Sequence, residues 1–76
     1  MNTNWQNLIS IDPDIRFGKP IITGTRICVS DILSWLSTGM SYEDIIEDFP
    51  ELKKEHILAS LAFAANRENI TKIIAA

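Results

Sequence analysis

Residues 41–66, SYEDIIEDFPELKKEHILASLAFAAN, read as two helices around a sharp stop, and that reading decides the fold. Ser41 is a natural N-cap, and Asp44 three positions on has capping-box spacing, with Asp in place of the usual Glu. Ile45 and Ile46 face inward, and Phe49 extends the apolar face one turn beyond Ile45. Pro50 ends the helix, because the residue before a proline avoids helical backbone angles. The link Pro50-Glu51-Leu52 leads to a third helix, from about Lys53 to Asn66 or beyond. Ile57, Leu58, Leu61, Ala62, Ala64 and Ala65 give it a broad apolar face of small side chains. The lengths and the short link are those of a helix-turn-helix.

Upstream, Ser30 is the expected N-cap of a first helix, with Asp31 placed against the positive end of its dipole. Ile32, Trp35 and Leu36 share one face at i, i+3 and i+4, and Gly39 stops the helix as its C′ residue. Before it lies the ten-residue run Gly18-Lys19-Pro20-Ile21-Ile22-Thr23-Gly24-Thr25-Arg26-Ile27. Gly18 and Gly24 accept positive φ, and Pro20 fixes its own φ. Ile21-Ile22 and Ile27-Cys28-Val29 read as strand pieces folded onto each other by a turn at Thr23-Gly24-Thr25. Leu8-Ile9-Ser10-Ile11 is a further strand, ended by Asp12-Pro13-Asp14. The expected architecture is mostly α: a three-helix helix-turn-helix core over residues 30–66, a short β-ribbon region over 8–29 and a C-terminal tail over 67–76.

A chain of 76 residues allows one domain and a small core. Cys28 is the single cysteine and His56 the single histidine, so an internal disulfide is excluded and a four-ligand zinc site, which would need carboxylates, has little support. Oligomerisation is the natural support for a small domain without such staples. The polar start, Met1 to Asn7, lacks the pattern of a signal peptide, and no apolar run reaches the ~20 residues that span a bilayer. A cytoplasmic protein with no membrane partner is expected.

The net charge of −3 is unevenly spread. Residues 31–52 hold Asp31, Glu43, Asp44, Glu47, Asp48 and Glu51 with no Lys or Arg. Residues 53–76 hold Lys53, Lys54, Arg67 and Lys72 against Glu55 and Glu68. One acidic and one basic surface suit different partners.

Gly18-Lys19 does not make a phosphate loop: Pro20 follows the lysine, and no glycine stands five residues before Gly18. Ser10, Ser30, Ser34 and Ser60 lack a nucleophile elbow, and His56 with Asp12 or Asp14 makes no triad on sequence grounds. No catalytic residue, cofactor or metal is expected, and the chain reads as a non-enzyme. On the third helix, Lys53, His56, Ser60, Phe63 and Arg67 recur every three or four residues and form one stripe. The head of the second helix of a helix-turn-helix enters the major groove, which nominates Lys53, Lys54 and His56, with Arg67 beyond, for duplex DNA. Net acidity argues the other way, since phosphate neutralisation drives such binding. Phe63 on that stripe and Trp5 in a polar lead are candidates for a dimer or partner contact.

The order Ile9-Ser10-Ile11-Asp12-Pro13, then Gly18-Lys19-Pro20 with Ile22 and Gly24-Thr25-Arg26-Ile27, then Val29-Ser30-Asp31-Ile32, resembles the domain-of-unknown-function 433 family. So do Gly39-Met40-Ser41, Ile45-Ile46, Asp48-Phe49-Pro50, Leu52, Ile57 and Leu61-Ala62-Phe63-Ala64-Ala65. The resemblance covers residues 8–66 and implies a homeodomain-like helix-turn-helix with a short N-terminal β element. Members are similar to VapB-type antitoxins encoded beside a PIN-like ribonuclease toxin. That implies two roles, neutralising the toxin and binding operator DNA. The chain departs from the family where Phe63 stands for the common Tyr, and where Lys53-Lys54-Glu55 offers no Ser or Thr cap.

The expectation is therefore a non-catalytic, homodimeric, antitoxin-like protein joined through its ribbon. Trp5, Arg26, Phe63 and the tail residues Ile70, Ile73 and Ile74 are its candidates for dimer and toxin contacts. Arg26 is a cation that guards a strand edge or reaches a phosphate. The alternative is a dimeric adaptor without DNA binding, working through the acidic face at Glu43, Glu47 and Glu51.

Overall fold

A computed structural model of the chain describes residues 5–75, with side chains over residues 6–66. Two short antiparallel strands, β1 (Ile9–Ser10) and β2 (Ile21–Ile22), precede three helices: α1 (Val29–Ser37), α2 (Tyr42–Asp48) and α3 (Lys54–Ala75). A 3-10 turn, Trp5–Asn7, lies against β1 and α3. The architecture is three helices with a two-stranded sheet near the N-terminus, as the sequence predicts. The segment after Asn66, for which helix and docked tail were both open, continues α3 to Ala75.

The ribbon is assembled differently from the expected local hairpin. β2 pairs with β1 in the register Ile9 to Ile22 and Ser10 to Ile21. The returning segment contributes one bridge, Cys28 to Ile21, and the bond from Ile22 N–H to the Ile27 carbonyl at 2.9 Å. Val29, expected in a strand, is the first residue of α1. The expected turn does form. Gly24 sits at φ +85°, Thr25 N–H donates to the Ile22 carbonyl at 3.0 Å, and the Thr25 hydroxyl accepts from Ile27 N–H at 3.0 Å. β2 thus has both edges occupied. Alternate strand residues point to opposite faces, yet Ile21 and Ile22 are both buried, so the sheet is covered on each side.

α1 begins before the expected Ser30 cap. Cys28 is the N-cap, and its carbonyl accepts from Asp31 N–H at 3.0 Å. The Asp31 carboxylate then accepts from Cys28 N–H at 3.0 Å, and Pro20 takes the Val29 N–H at 3.0 Å. Two donors at the head of the helix are satisfied this way, one of them by a residue from the ribbon, so Ser30 falls inside the helix and faces solvent. At the other end, Gly39 at φ +98° closes a Schellman motif. Gly39 N–H donates to Leu36 and Met40 N–H donates to Trp35.

The Ser41–Asp44 capping box of α2 is formed in both directions, at 3.1 and 3.0 Å. The core gathers Ile9, Ile22, Val29, Ile32, Ile45, Leu52, Ile57 and Ala59. Trp35 of α1 stacks on Phe49 after α2, with ring centroids 4.3 Å apart. Both strands and all three helices contribute side chains to this cluster, which holds the ribbon and the helices together.

Candidate functional site

The α2–α3 corner is built by local chemistry. Phe49 N–H donates to the Ile45 carbonyl and Leu52 N–H to the Phe49 carbonyl, both at 2.9 Å, and Leu52 is buried. α3 then opens without Ser or Thr. Lys53 N–H donates instead to Nδ1 of His56 at 2.9 Å, so the imidazole fills the place of the acid in a capping box.

This arrangement divides the predicted stripe. Lys53 and Lys54 are exposed at the head of α3. His56 is half-buried and is primarily a cap. Ser60, expected on the polar stripe, is wholly buried and donates its hydroxyl to the His56 carbonyl at 2.9 Å. Phe63 is half-buried and packs on the core. The true outer face of α3 bears Lys54, Glu55, Leu58, Leu61 and Ala65, with both leucines 38% exposed. The side chains of Arg67, Ile70, Ile73, Ile74 and Trp5 lie outside the described residues.

Electrostatically the corner is mixed. Glu43, Asp44, Glu47, Asp48 and Glu51 are exposed beside Lys53 and Lys54, and Glu55 follows them. Asp44 spends its carboxylate on the Ser41 cap. Among the described residues no group of three or more His, Cys, Asp or Glu is gathered as for a metal ion. No helix among them is long and apolar enough to cross a membrane.

A second region carries features that sequence reading passed over. Arg16 donates through Nη1 to the Arg26 carbonyl at 2.8 Å and to the Asp31 carboxylate at 3.3 Å. It joins the loop after β1, the turn after β2 and the head of α1. Arg26 itself contributes its carbonyl to this junction and leaves its side chain exposed. Arg16 and Phe17 have φ of +51° and +60°, values uncommon outside glycine. No periodicity announces such a segment, and the Gly18 that follows at φ +78° is its one visible sign. Nearby, Lys19, Pro20, Val29, Ser30, Leu33, Phe63 and Ala64 line a mainly apolar, half-open pocket of about 460 Å³.

The model of the protein family of unknown function DUF433 matches residues 9–64, which span both regions. The chain belongs to the DUF433 family. A crystal structure of a DUF433 member from Anabaena variabilis ATCC 29413 is similar in fold, with a TM-score of 0.76 at 29% identity. The match covers 93% of this chain and 71% of that one. Uncharacterized protein y4eO of Sinorhizobium fredii (strain NBRC 101917 / NGR234) is 37% identical over 62 residues. The aligned stretch takes 80% of this chain but spans only 28% of that relative.

Proposed function

We propose that this DUF433 protein is a non-catalytic, cytoplasmic, antitoxin-like binding protein that acts as a homodimer. Its partners are a PIN-like ribonuclease toxin and the duplex DNA of its own operator. The observation that carries the DNA arm is the exposure of Lys53 and Lys54 at the head of α3, the position from which a helix-turn-helix addresses the major groove. The positive end of the helix dipole adds to their charge. The toxin arm rests on the apolar end of α3, where Ile70, Ile73 and Ile74 recur at helical spacing and suit a groove on a partner.

Binding of the chain to labelled duplex from upstream of its own reading frame, measured over a salt series, tests the DNA arm. Affinity is expected to fall steeply with salt, and the pair Lys53→Glu and Lys54→Glu to abolish it while leaving the fold intact. No binding even at low salt would end this arm. The toxin arm is tested by co-purification with the neighbouring nuclease after deletion of residues 67–76. Loss of the complex is expected, and a retained complex places the contact elsewhere.

A second reading, an adaptor without DNA binding, is favoured by a different observation. α2 presents Glu43, Glu47 and Asp48 to solvent with no basic residue, and Leu58 and Leu61 stand partly exposed on the outer face of α3. Phosphates repel the first surface, and a protein partner suits both.

A further inference from the structure

Among the described residues, Phe17 is the large apolar side chain with the least cover, 97% exposed. Its backbone is not relaxed: Arg16, Phe17 and Gly18 are all left-handed, at φ +51°, +60° and +78°. An unfavourable backbone of this kind persists only when its surroundings impose it. Here they do. Asp12 accepts from Ile15 N–H at 2.9 Å, Ile15 from Gly18 N–H at 3.1 Å, and Arg16 from Lys19 N–H at 3.2 Å. The Arg16 guanidinium fastens the loop to Arg26 and Asp31. The fold therefore holds a phenyl ring out into solvent on a braced support.

The pocket described above begins two residues later, at Lys19 and Pro20, and is lined also by Leu33, Phe63 and Ala64. Its volume of about 460 Å³ lies within the ~300–1,000 Å³ range of pockets that bury small ligands. Knob and pocket are complementary in charge as well as in polarity. The knob loop carries Asp12 and the exposed Asp14, since Arg16 is spent on Asp31, while the pocket rim carries the exposed Lys19. A two-fold axis satisfies both at once, because in an isologous contact each surface meets its counterpart reciprocally.

We propose that two copies of this chain associate through a two-fold interface in which Phe17 of each fills the Pro20–Leu33–Phe63 pocket of the other, with Asp14 facing the partner copy's Lys19. This gives the dimer of the functional reading its contact surface and rests on that reading. The occupied edges of β2 are consistent with it, since they leave side-chain packing rather than strand pairing through β2 to join the copies. Two buried phenyl rings supply about 300–500 Å². A standard interface buries roughly 1,600 Å², so the rings are anchors of a weak, concentration-dependent dimer.

Sedimentation equilibrium of the full chain, taken into the high micromolar range, tests this with two variants. Phe17→Gly removes the knob and suits a φ of +60°, so it stays folded and its Tm does not fall. Ala64→Phe fills the pocket from within. Each alone is expected to weaken self-association by at least ~30-fold, the loss typical of an interface anchor. Mixed together they retain one intact knob and one intact pocket, and form a heterodimer tighter than either variant's homodimer.

Wild-type monomer at every concentration, growth into open chains, unchanged association of Phe17→Gly, or no gain on mixing would each overturn the proposal. Unchanged association in Phe17→Gly, with DNA binding still lost in the Lys53→Glu/Lys54→Glu pair, removes the interface and keeps the functional reading. Weakened association in Phe17→Gly, with no DNA binding by wild type at low salt, keeps the interface and removes the DNA arm.

Discussion

The α2–α3 corner and the loop from Asp12 to Cys28 use similar hydrogen bonds over very different spans. In the corner, Ser41 meets Asp44 and Lys53 meets His56, each three residues apart. In the loop, Arg16 reaches Arg26 ten residues on and Asp31 fifteen residues on, while Pro20 completes the start of α1 at Val29. Short-range caps fix helix ends at little entropic cost, whereas long-range contacts must close loops before they return any stability. The corner displays charge on regular helices, and the loop displays an aromatic ring on a backbone that would not hold itself. A braced loop can carry a specific contact that a regular helix would have to assemble from several side chains.

The comparison is most exposed at Asp31. Its carboxylate serves Cys28 N–H and Arg16 together, so Asp31→Ala should cost about 1–3 kcal/mol, read from urea unfolding. Arg16→Ala should be partly redundant with it. In a double-mutant cycle the two should couple by at least about 0.5 kcal/mol, and simple additivity would show that the long-range brace contributes nothing. Ser41→Ala removes a local cap alone and should cost about 1 kcal/mol with no coupling to Arg16. The smallest effect belongs to Lys53→Glu with Lys54→Glu. Both side chains are exposed, so unfolding should shift by less than about 0.5 kcal/mol even where DNA binding is lost.

Legibility follows the same division. The Ser41 cap, the stop at Pro50 and the Gly39 terminus were readable because each is set by residues within one turn of helix. Reading Ser30 as the cap of α1 failed because the satisfied donors at that end depend on Pro20 and Asp31 acting from both sides. Helical spacing placed Ser60 on a polar stripe. Its hydroxyl donates to the His56 carbonyl within the helix, so burial leaves no unmet group and the serine passes into the core. His56 looked like a surface reader of DNA, because its identity as a cap depends on a bond from the Lys53 N–H that spacing does not reveal. Of the candidate sites, the exposed lysines were legible. The braced Phe17 and the pocket beside it were not, since neither has a periodic or compositional signal.

The sequence by itself determined three helices, their order and most of their ends, because caps, proline stops and apolar periodicity act over three or four residues. Tertiary structure alone decided that β2 pairs with β1 rather than mainly with the segment after its turn, that α1 starts at Val29, and that Phe17 stands outward beside an apolar pocket. Those outcomes depend on bonds between residues nine or more apart, such as Val29 to Pro20 and Arg16 to Arg26 and Asp31, which exist only once the core around Ile22, Ile32 and Ile45 has brought the ribbon onto the helices.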